Sequence, residues 1–95
     1  MRDRFGKVAA LQTLLLGMER DLGLDDLSAA QRKILYATQL IQEEKTSAPL
    51  SEMITHPLLS DLSRATFYRA LKSLVEDGYL MSFSAGSASH YKIAD

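Results

Sequence analysis

The 95-residue chain has no cysteine and no tryptophan, and only two prolines and five glycines. Without cysteine it has neither a disulfide nor a thiolate metal site. No apolar run approaches the roughly 20 residues that a membrane-spanning helix needs. The N-terminus is charged where a secretory signal peptide would be apolar. These absences predict a cytoplasmic protein with no membrane segment.

The patterns of common catalytic and metal sites are also missing. His56 and His90 lie far apart in the sequence, and no second pair of ligands stands at the spacing of a zinc site. The chain has no glycine-rich phosphate loop and no nucleophile elbow. Its acidic residues stand mainly at the ends of predicted helices, where solvent or the helix dipole favours them. The sequence therefore predicts a protein that is not an enzyme and that holds no metal or cofactor.

The amino-acid composition of the chain is that of one small folded domain. Hydrophobic residues make up 46% of the chain and charged residues 24%, which is enough for a modest core. The formal net charge is only −1. DNA-binding domains are often strongly basic, because neutralising phosphates supplies most of their nonspecific affinity. Any contact with DNA must therefore come from a local basic patch.

Residues 1–23 are predicted to form an N-terminal helix that ends at Gly23. Its apolar positions follow two adjacent lines at helical spacing, one of Phe5, Val8, Leu15 and Leu22 and the other of Leu11, Leu14 and Met18. So wide an apolar surface either packs wholly into the chain's own core or pairs with the same helix of a second subunit about a two-fold axis. We favour the second interpretation and expect a homodimer through this helix.

Residues 24–95 are predicted to form a second unit, which opens with a helix over 27–44. Ser28 and Gln31 form a capping box at its start. Its buried stripe is predicted to consist of Ile34, Leu35, Ala37, Thr38 and Ile41. Residues 46–50 are a connector with room for one short strand. Ser51 is predicted to cap a short helix that ends at His56-Pro57, because proline cannot continue a helical ladder.

The stretch SRATFYRALKSLVEDGYL, residues 63–80, is the most informative part of the chain. Ser63 is suited to cap a helix, and Gly78 to the left-handed position just past its end. The buried stripe is predicted to consist of Phe67, Leu71 and Leu74, flanked by Ala70 and Val75. The opposite face is predicted to carry Ala65, Arg69, Lys72 and Glu76, with Tyr68 and Ser73 beside them. Such a helix fits the DNA major groove, where arginine reads guanine edges, although a solvated surface helix is a more common origin of the pattern.

Two strands are predicted after this helix, over residues 79–84 and 90–94, with a hairpin tip at 85–89. A short helix, a turn, a longer helix and then a hairpin is the layout of a winged helix-turn-helix domain. The predicted fold class is therefore mainly α, of the α+β type, with an N-terminal helix and a C-terminal β-hairpin wing.

LSAAQRKIL and, some thirty residues later, LSRATFYRALKSLVEDGYL resemble the MarR-type winged-helix transcription regulators. The matching positions are Leu27, Ser28, Gln31, Ser63, Thr66, Arg69, Leu74 and Gly78. The resemblance covers residues 24–94. It implies a dimer that binds double-stranded DNA and reads a palindrome with one recognition helix in each half-site.

The predicted outer face and the resemblance together lead us to expect a set of DNA-binding residues along this helix. Arg64, Arg69 and Lys72 are the expected cationic contacts to bases or phosphates. The remaining expected contacts are the small or hydroxyl-bearing Ala65, Thr66 and Tyr68 at the groove and Ser63, which caps the helix and is also a candidate phosphate ligand. Ser51 and Ser87 are weaker candidates for contacts to the DNA backbone.

The predicted wing differs from the wings of that family, which usually carry an arginine that enters the minor groove. Residues 82–89 contain no basic residue. An uncharged wing and a nearly neutral chain are also what a winged helix used for protein–protein interaction would show. This protein-interaction module is the alternative to a DNA-binding regulator. The sequence identifies neither an operator nor an effector.

Overall fold

The computed structural model describes residues 2–94, with side chains described from residue 5 onward. The domain limits predicted at residues 1 and 95 lie outside this range. The helices are α1 (Arg2–Asp21), α2 (Ala29–Gln42), α3 (Leu50–Ile54) and α4 (Arg64–Glu76), and the strands are β1 (Ala48–Pro49), β2 (Leu80–Ala85) and β3 (Ala88–Ile93). Two 3₁₀ turns, Leu24–Asp26 and Pro57–Leu59, precede α2 and α4. The architecture is mixed α+β.

The three strands form one antiparallel sheet in the order β1-β3-β2. Ala85 pairs with Ala88, so only Gly86 and Ser87 form the hairpin turn. The five-residue tip predicted over 85–89 was therefore too long. Gly86 has a φ of 65°, and this left-handed conformation allows a two-residue turn that keeps the strands paired to their ends.

The core lies between α2, α4 and the sheet. The predicted stripe of α2 is confirmed as buried, from Ile34 to Ile41. It packs in one cluster with Ala48, Met53, Leu59, Phe67, Ala70, Leu71, Leu74 and Leu80. The predicted capping box is also confirmed, because Gln31 N donates to Ser28 Oγ at 3.1 Å and Ser28 N donates to Gln31 Oε1 at 2.8 Å. The start of α2 is thus fixed by its own side chains.

The short helix α3 begins two residues earlier than a cap at Ser51 would require. Its N-cap is Pro49, which makes no side-chain capping bond, and Ser51 lies exposed in the first turn. The prediction that Ser51 caps this helix was wrong. Pro49 has φ −64° and ψ 142°, so the proline ring already holds the φ that a helix start needs and Leu50 begins the helix. The helix ends at Ile54, before His56-Pro57 as predicted.

The helix α1 lies largely outside the core. The molecule measures 50 Å along its longest axis and only 27 and 26 Å along the others. Large apolar side chains of this segment are 39 to 71% exposed, among them Val8, Leu11, Leu14, Leu15, Leu16, Met18 and Leu22. The alternative in which this surface packs wholly into the chain's own core is therefore wrong for the single chain.

One polar cluster holds the C-terminal end of α1 against α2. Glu19 is only 6% exposed, and its carboxylate accepts a hydrogen bond from the Tyr36 hydroxyl. The same carboxylate lies 3.3 Å from Arg32 Nε. Arg32 Nη1 in turn donates to the carbonyl oxygens of Leu24, at 3.4 Å, and Leu27. Arg32 therefore joins α1, the connector and α2 at one point.

The stability contributed by Tyr36 is expected to disappear at high pH. Burial, together with the hydrogen bond to the Glu19 carboxylate, raises the pKa of Tyr36 to about 12. An unfolded tyrosine has a pKa of about 10. The contribution is therefore complete below pH 10 and is lost as the pH rises through about 12. Tyr36→Phe should cost about 1–2 kcal/mol near pH 7, and urea unfolding should show this difference shrinking above pH 10. A difference that stays constant to pH 12 would contradict the contact with Glu19.

Candidate nucleic-acid interface

The start of α4 is fixed by Ser63, which the structure confirms as its N-cap. Thr66 N donates to Ser63 Oγ at 3.1 Å, and Ser63 Oγ donates to Thr66 Oγ1 at 2.9 Å. The hydroxyl proton of Ser63 is therefore used within the helix. Thr66 is half-buried beside it. Both side chains serve to hold the first turn of α4 in place.

The inner side of α4 is anchored along its length. Phe67 and Leu71 are 4% exposed and Leu74 is fully buried. Ser73, which the periodicity placed beside the outer face, is instead half-buried, and Gln31 Nε2 donates to its Oγ at 3.1 Å. This bond joins the start of α2 to α4 and could not be predicted from spacing alone. The helix ends as predicted, with Gly78 at a φ of 85°.

The outer side of α4 brings together five of the seven predicted DNA-binding residues. Arg64, Ala65, Tyr68, Arg69 and Lys72 are all exposed on it. Tyr68 is 43% exposed, and its ring meets the buried ring of Phe67 edge to face, with centroids 5.2 Å apart. That contact orients the exposed phenol without burying it. These five residues are called the α4 face below.

The cations of the α4 face are not neutralised within the described part of the chain. The ion pairs there join Glu19 to Arg32, Lys33 to Asp61 and Lys45 to Glu52. None of them includes Arg64, Arg69 or Lys72. Arg69 Nε makes one long bond, 3.4 Å, to the Ala65 carbonyl one turn earlier. That bond involves only Nε, and the side chain is exposed.

The charge around the α4 face is positive despite the net charge of −1. Asp61, just before the helix, is held by Lys33, whose Nζ lies 2.7 Å from its carboxylate. The hydrogen bond from Lys33 lowers the pKa of Asp61, so this carboxylate stays ionised and its charge is offset by its partner. Glu76 and Asp77, which take part in none of the ion pairs of the described residues, lie at the far end of α4. Positive charge is thus concentrated toward the N-terminus of α4, where the helix dipole adds to it.

A cleft between α4 and the hairpin extends the α4 face. It is lined by Tyr68, Leu71, Lys72, Val75, Glu76, Ser82 and Tyr91. Ser82 pairs with Tyr91 across the hairpin, two positions along from the pair of the buried Leu80 and the half-buried Ile93. Neither Ser82 nor Tyr91 was among the predicted site residues. The alternation of a strand from the buried Leu80 would have placed Ser82 on this side.

The two weaker candidates do not lie on the α4 face. Ser51 is exposed in the first turn of α3, and Ser87 is exposed at the hairpin turn. The opposite side of the hairpin exposes two large apolar side chains, with the exposed Lys92 opposite one of them, Met81. Met81 is 57% exposed and Phe83 44% exposed there, and the Phe83 ring stacks on His90 at 5.7 Å.

Neither histidine forms part of a metal centre in the described residues. His56 Nδ1 accepts from Leu58 N at 3.2 Å, and His90 Nδ1 lies 2.9 Å from Ser47 Oγ. No group of three or more metal-ligating side chains occurs between residues 5 and 94. Within the same range, no helix has the length and hydropathy to cross a membrane.

No protein-family model matches this chain, and neither a curated protein nor a solved structure matches it significantly.

Proposed function

We propose that this chain is a sequence-specific, DNA-binding transcription regulator of MarR-like type, with a winged helix-turn-helix fold and α4 as its recognition helix. The observation that carries the proposal is the α4 face. Its inner side is locked to the core, while Arg64, Arg69 and Lys72 are exposed and outside the ion pairs of the described residues. A rigid helix with small and cationic residues outward is the element that the major groove accepts. A cytoplasmic location is part of this proposal.

The order of the elements supports the winged arrangement. The helices α3 and α4 follow one another across the turn at residues 55–63, and the β2–β3 hairpin comes directly after α4. β1, which precedes α3, pairs with β3 and adds the third strand of the sheet next to the hairpin. This connectivity places the exposed side of α4 and one side of the hairpin around a common cleft. DNA held against α4 would pass next to that cleft.

A homodimer through α1 is the second part of the proposal. The support for it is the row of exposed apolar side chains on a helix that the chain's own core does not cover. About a two-fold axis, this surface would pack against the same surface of a second copy. Two α4 helices related by that axis would then meet two half-sites of a palindrome.

A protein-docking module is the competing function, and one observation favours it. The side of the hairpin opposite the cleft exposes Met81 and Phe83, and residues 82–89 carry no basic side chain. A docking module would use that apolar side and would leave the α4 face without a specific ligand. The two functions therefore differ in which surface binds.

Selection from a pool of random duplexes with the wild-type protein tests the proposal. We expect an enriched inverted repeat and a binding constant that falls as the salt concentration rises, because phosphate contacts release counterions. A pool without an enriched motif, together with no salt-dependent binding, would contradict DNA recognition and favour the docking module.

An arginine at the hairpin turn should strengthen binding to AT-rich flanks. Ser87 is exposed in the turn next to Gly86, so Ser87→Arg adds a cation without disturbing the core. Narrow minor grooves of A-tracts attract arginine through their enhanced negative potential. We expect about a 3- to 10-fold gain for AT-rich over GC-rich flanks, measured by fluorescence anisotropy. Ser87→Gln is the control for length without charge, and equal gains on both flanks would contradict a minor-groove contact.

A further inference from the structure

We propose that Glu19 is a positioning residue that sets the angle between α1 and the rest of the domain, and thereby the spacing of the two DNA half-sites that a dimer accepts. The inference rests on the proposed function for its DNA part. It starts from an unusual distribution of burial. Between residues 5 and 21, Glu19 is the single buried residue of α1.

A carboxylate is an expensive group to bury, so its partners define the geometry of this contact. Glu19 is held by Arg32 Nε at 3.3 Å and by the Tyr36 hydroxyl, both from α2. Two directional contacts from side chains one turn apart fix the rotation of α1 as well as its distance from α2. An apolar contact would be less directional, because burial of apolar area has no preferred angle.

Arg32 extends the same contact to the connector between the helices. Its Nη1 donates to the carbonyls of Leu24 and Leu27, which flank the 3₁₀ turn after α1. Gly23, with a φ of 75°, adopts the left-handed conformation of the turn that follows α1. Glu19, the connector and α2 therefore share one guanidinium, and loss of the carboxylate removes the only link from that guanidinium to α1 among the described residues.

The contact leaves the apolar side of α1 free for a partner. At about 100° per residue, Glu19 lies roughly a quarter turn around the helix from Leu11 and Met18. Both are more than half exposed. One side of α1 thus attaches to its own domain, and an adjacent side is available to a second copy.

Small changes at Glu19 would be amplified along α1. A helix of 20 residues is about 30 Å long, so a tilt of about 10° at its base moves the other end by about 5 Å. This displacement exceeds the roughly 3.4 Å between successive base pairs. An angle that varies by this amount could not hold two recognition helices to one half-site spacing.

The first measurement follows the angle itself and needs no DNA. The chain has no cysteine, so spin labels can be placed through Gln12→Cys and Gln39→Cys, both exposed positions. The labelled chain is diluted into unlabelled protein, and the intramolecular distance is measured by pulsed electron paramagnetic resonance. Glu19→Gln should at least double the width of the distance distribution. Tyr36→Phe, the milder variant, should broaden it less, and Glu52→Gln, which removes a carboxylate from an exposed ion pair, should leave it unchanged.

The second measurement follows spacing on the selected inverted repeat. We expect the wild type to prefer the selected spacing by about tenfold over repeats with one or two base pairs added. Glu19→Gln should reduce this preference to less than about threefold, with unchanged affinity for a single half-site. Unaltered distance distributions and spacing preference in Glu19→Gln would overturn the inference. If the wild type selects no DNA, both the proposed function and the role of Glu19 in half-site spacing are contradicted. The spin-label distances then decide separately whether Glu19 fixes the angle of α1.

Discussion

Leu11→Glu combined with Leu14→Glu is expected to convert the protein from a dimer to a monomer. Both side chains are at least 60% exposed in the single chain, so the change should leave the fold intact. In a dimer through α1 the new carboxylates would be buried without partners, at a cost of several kcal/mol. We expect the dimer dissociation constant to rise by a factor of about 100 or more, measured by sedimentation equilibrium.

The matched control for this variant lies on the same helix. Ala10→Glu combined with Thr13→Glu adds the same two charges at exposed positions outside the two apolar lines. The control should remain dimeric at concentrations at which the leucine variant is monomeric. A wild-type protein that is monomeric at high concentration, or a control that dissociates equally, would contradict an interface along the apolar side of α1.

Arg69→Ala is expected to weaken DNA binding without changing stability. Arg69 is exposed, and its one hydrogen bond goes to a carbonyl of its own helix. Its loss should therefore change the free energy of unfolding by less than about 0.5 kcal/mol. A contact to a base would be worth about 1–3 kcal/mol and would relax specificity at one position of the site. A contact to a phosphate would instead weaken all sequences alike and reduce the salt dependence.

Lys45→Ala is the control for Arg69→Ala, because it removes one positive charge from a residue outside α4. Its ion pair with Glu52 is exposed and contributes little to stability. Titrations of both variants at two salt concentrations separate a specific contact from a change in total charge. Equal losses for the two variants would contradict a direct role of Arg69.

Elements with local signals could be predicted from the sequence. The capping box of Ser28 and Gln31 and the N-cap of Ser63 depend on residues three positions apart, and the structure confirms both. The period of Phe67, Leu71 and Leu74 similarly predicted which side of α4 is buried, and hence which cations are exposed. These features need no knowledge of the rest of the chain.

Most of the features that the sequence did not predict depend on contacts between residues far apart in the chain. Ser73 is turned inward by Gln31, 42 positions earlier in the chain. Glu19 is buried because Arg32 and Tyr36 of another helix supply its partners, whereas helical periodicity alone would leave a glutamate in solvent. The prediction for Ser51 was wrong for a local reason, because the helix already begins at Leu50 with Pro49 as its N-cap. Tyr91 joined the candidate site only once the hairpin register was known.

The most direct test of the central claim is to observe which surface of the protein touches DNA. A ¹⁵N-labelled sample of this 95-residue chain can be titrated with the selected duplex and followed by amide chemical shifts. The account predicts that the largest shifts fall on residues 63–72 and on the hairpin residues of the adjacent cleft, while the amides of Met81 and Phe83 change little. Shifts concentrated on Met81 and Phe83 would contradict the assignment of α4 as a recognition helix. The absence of shifts would contradict it too, if the duplex is in an excess that saturates a known DNA-binding protein measured as a control.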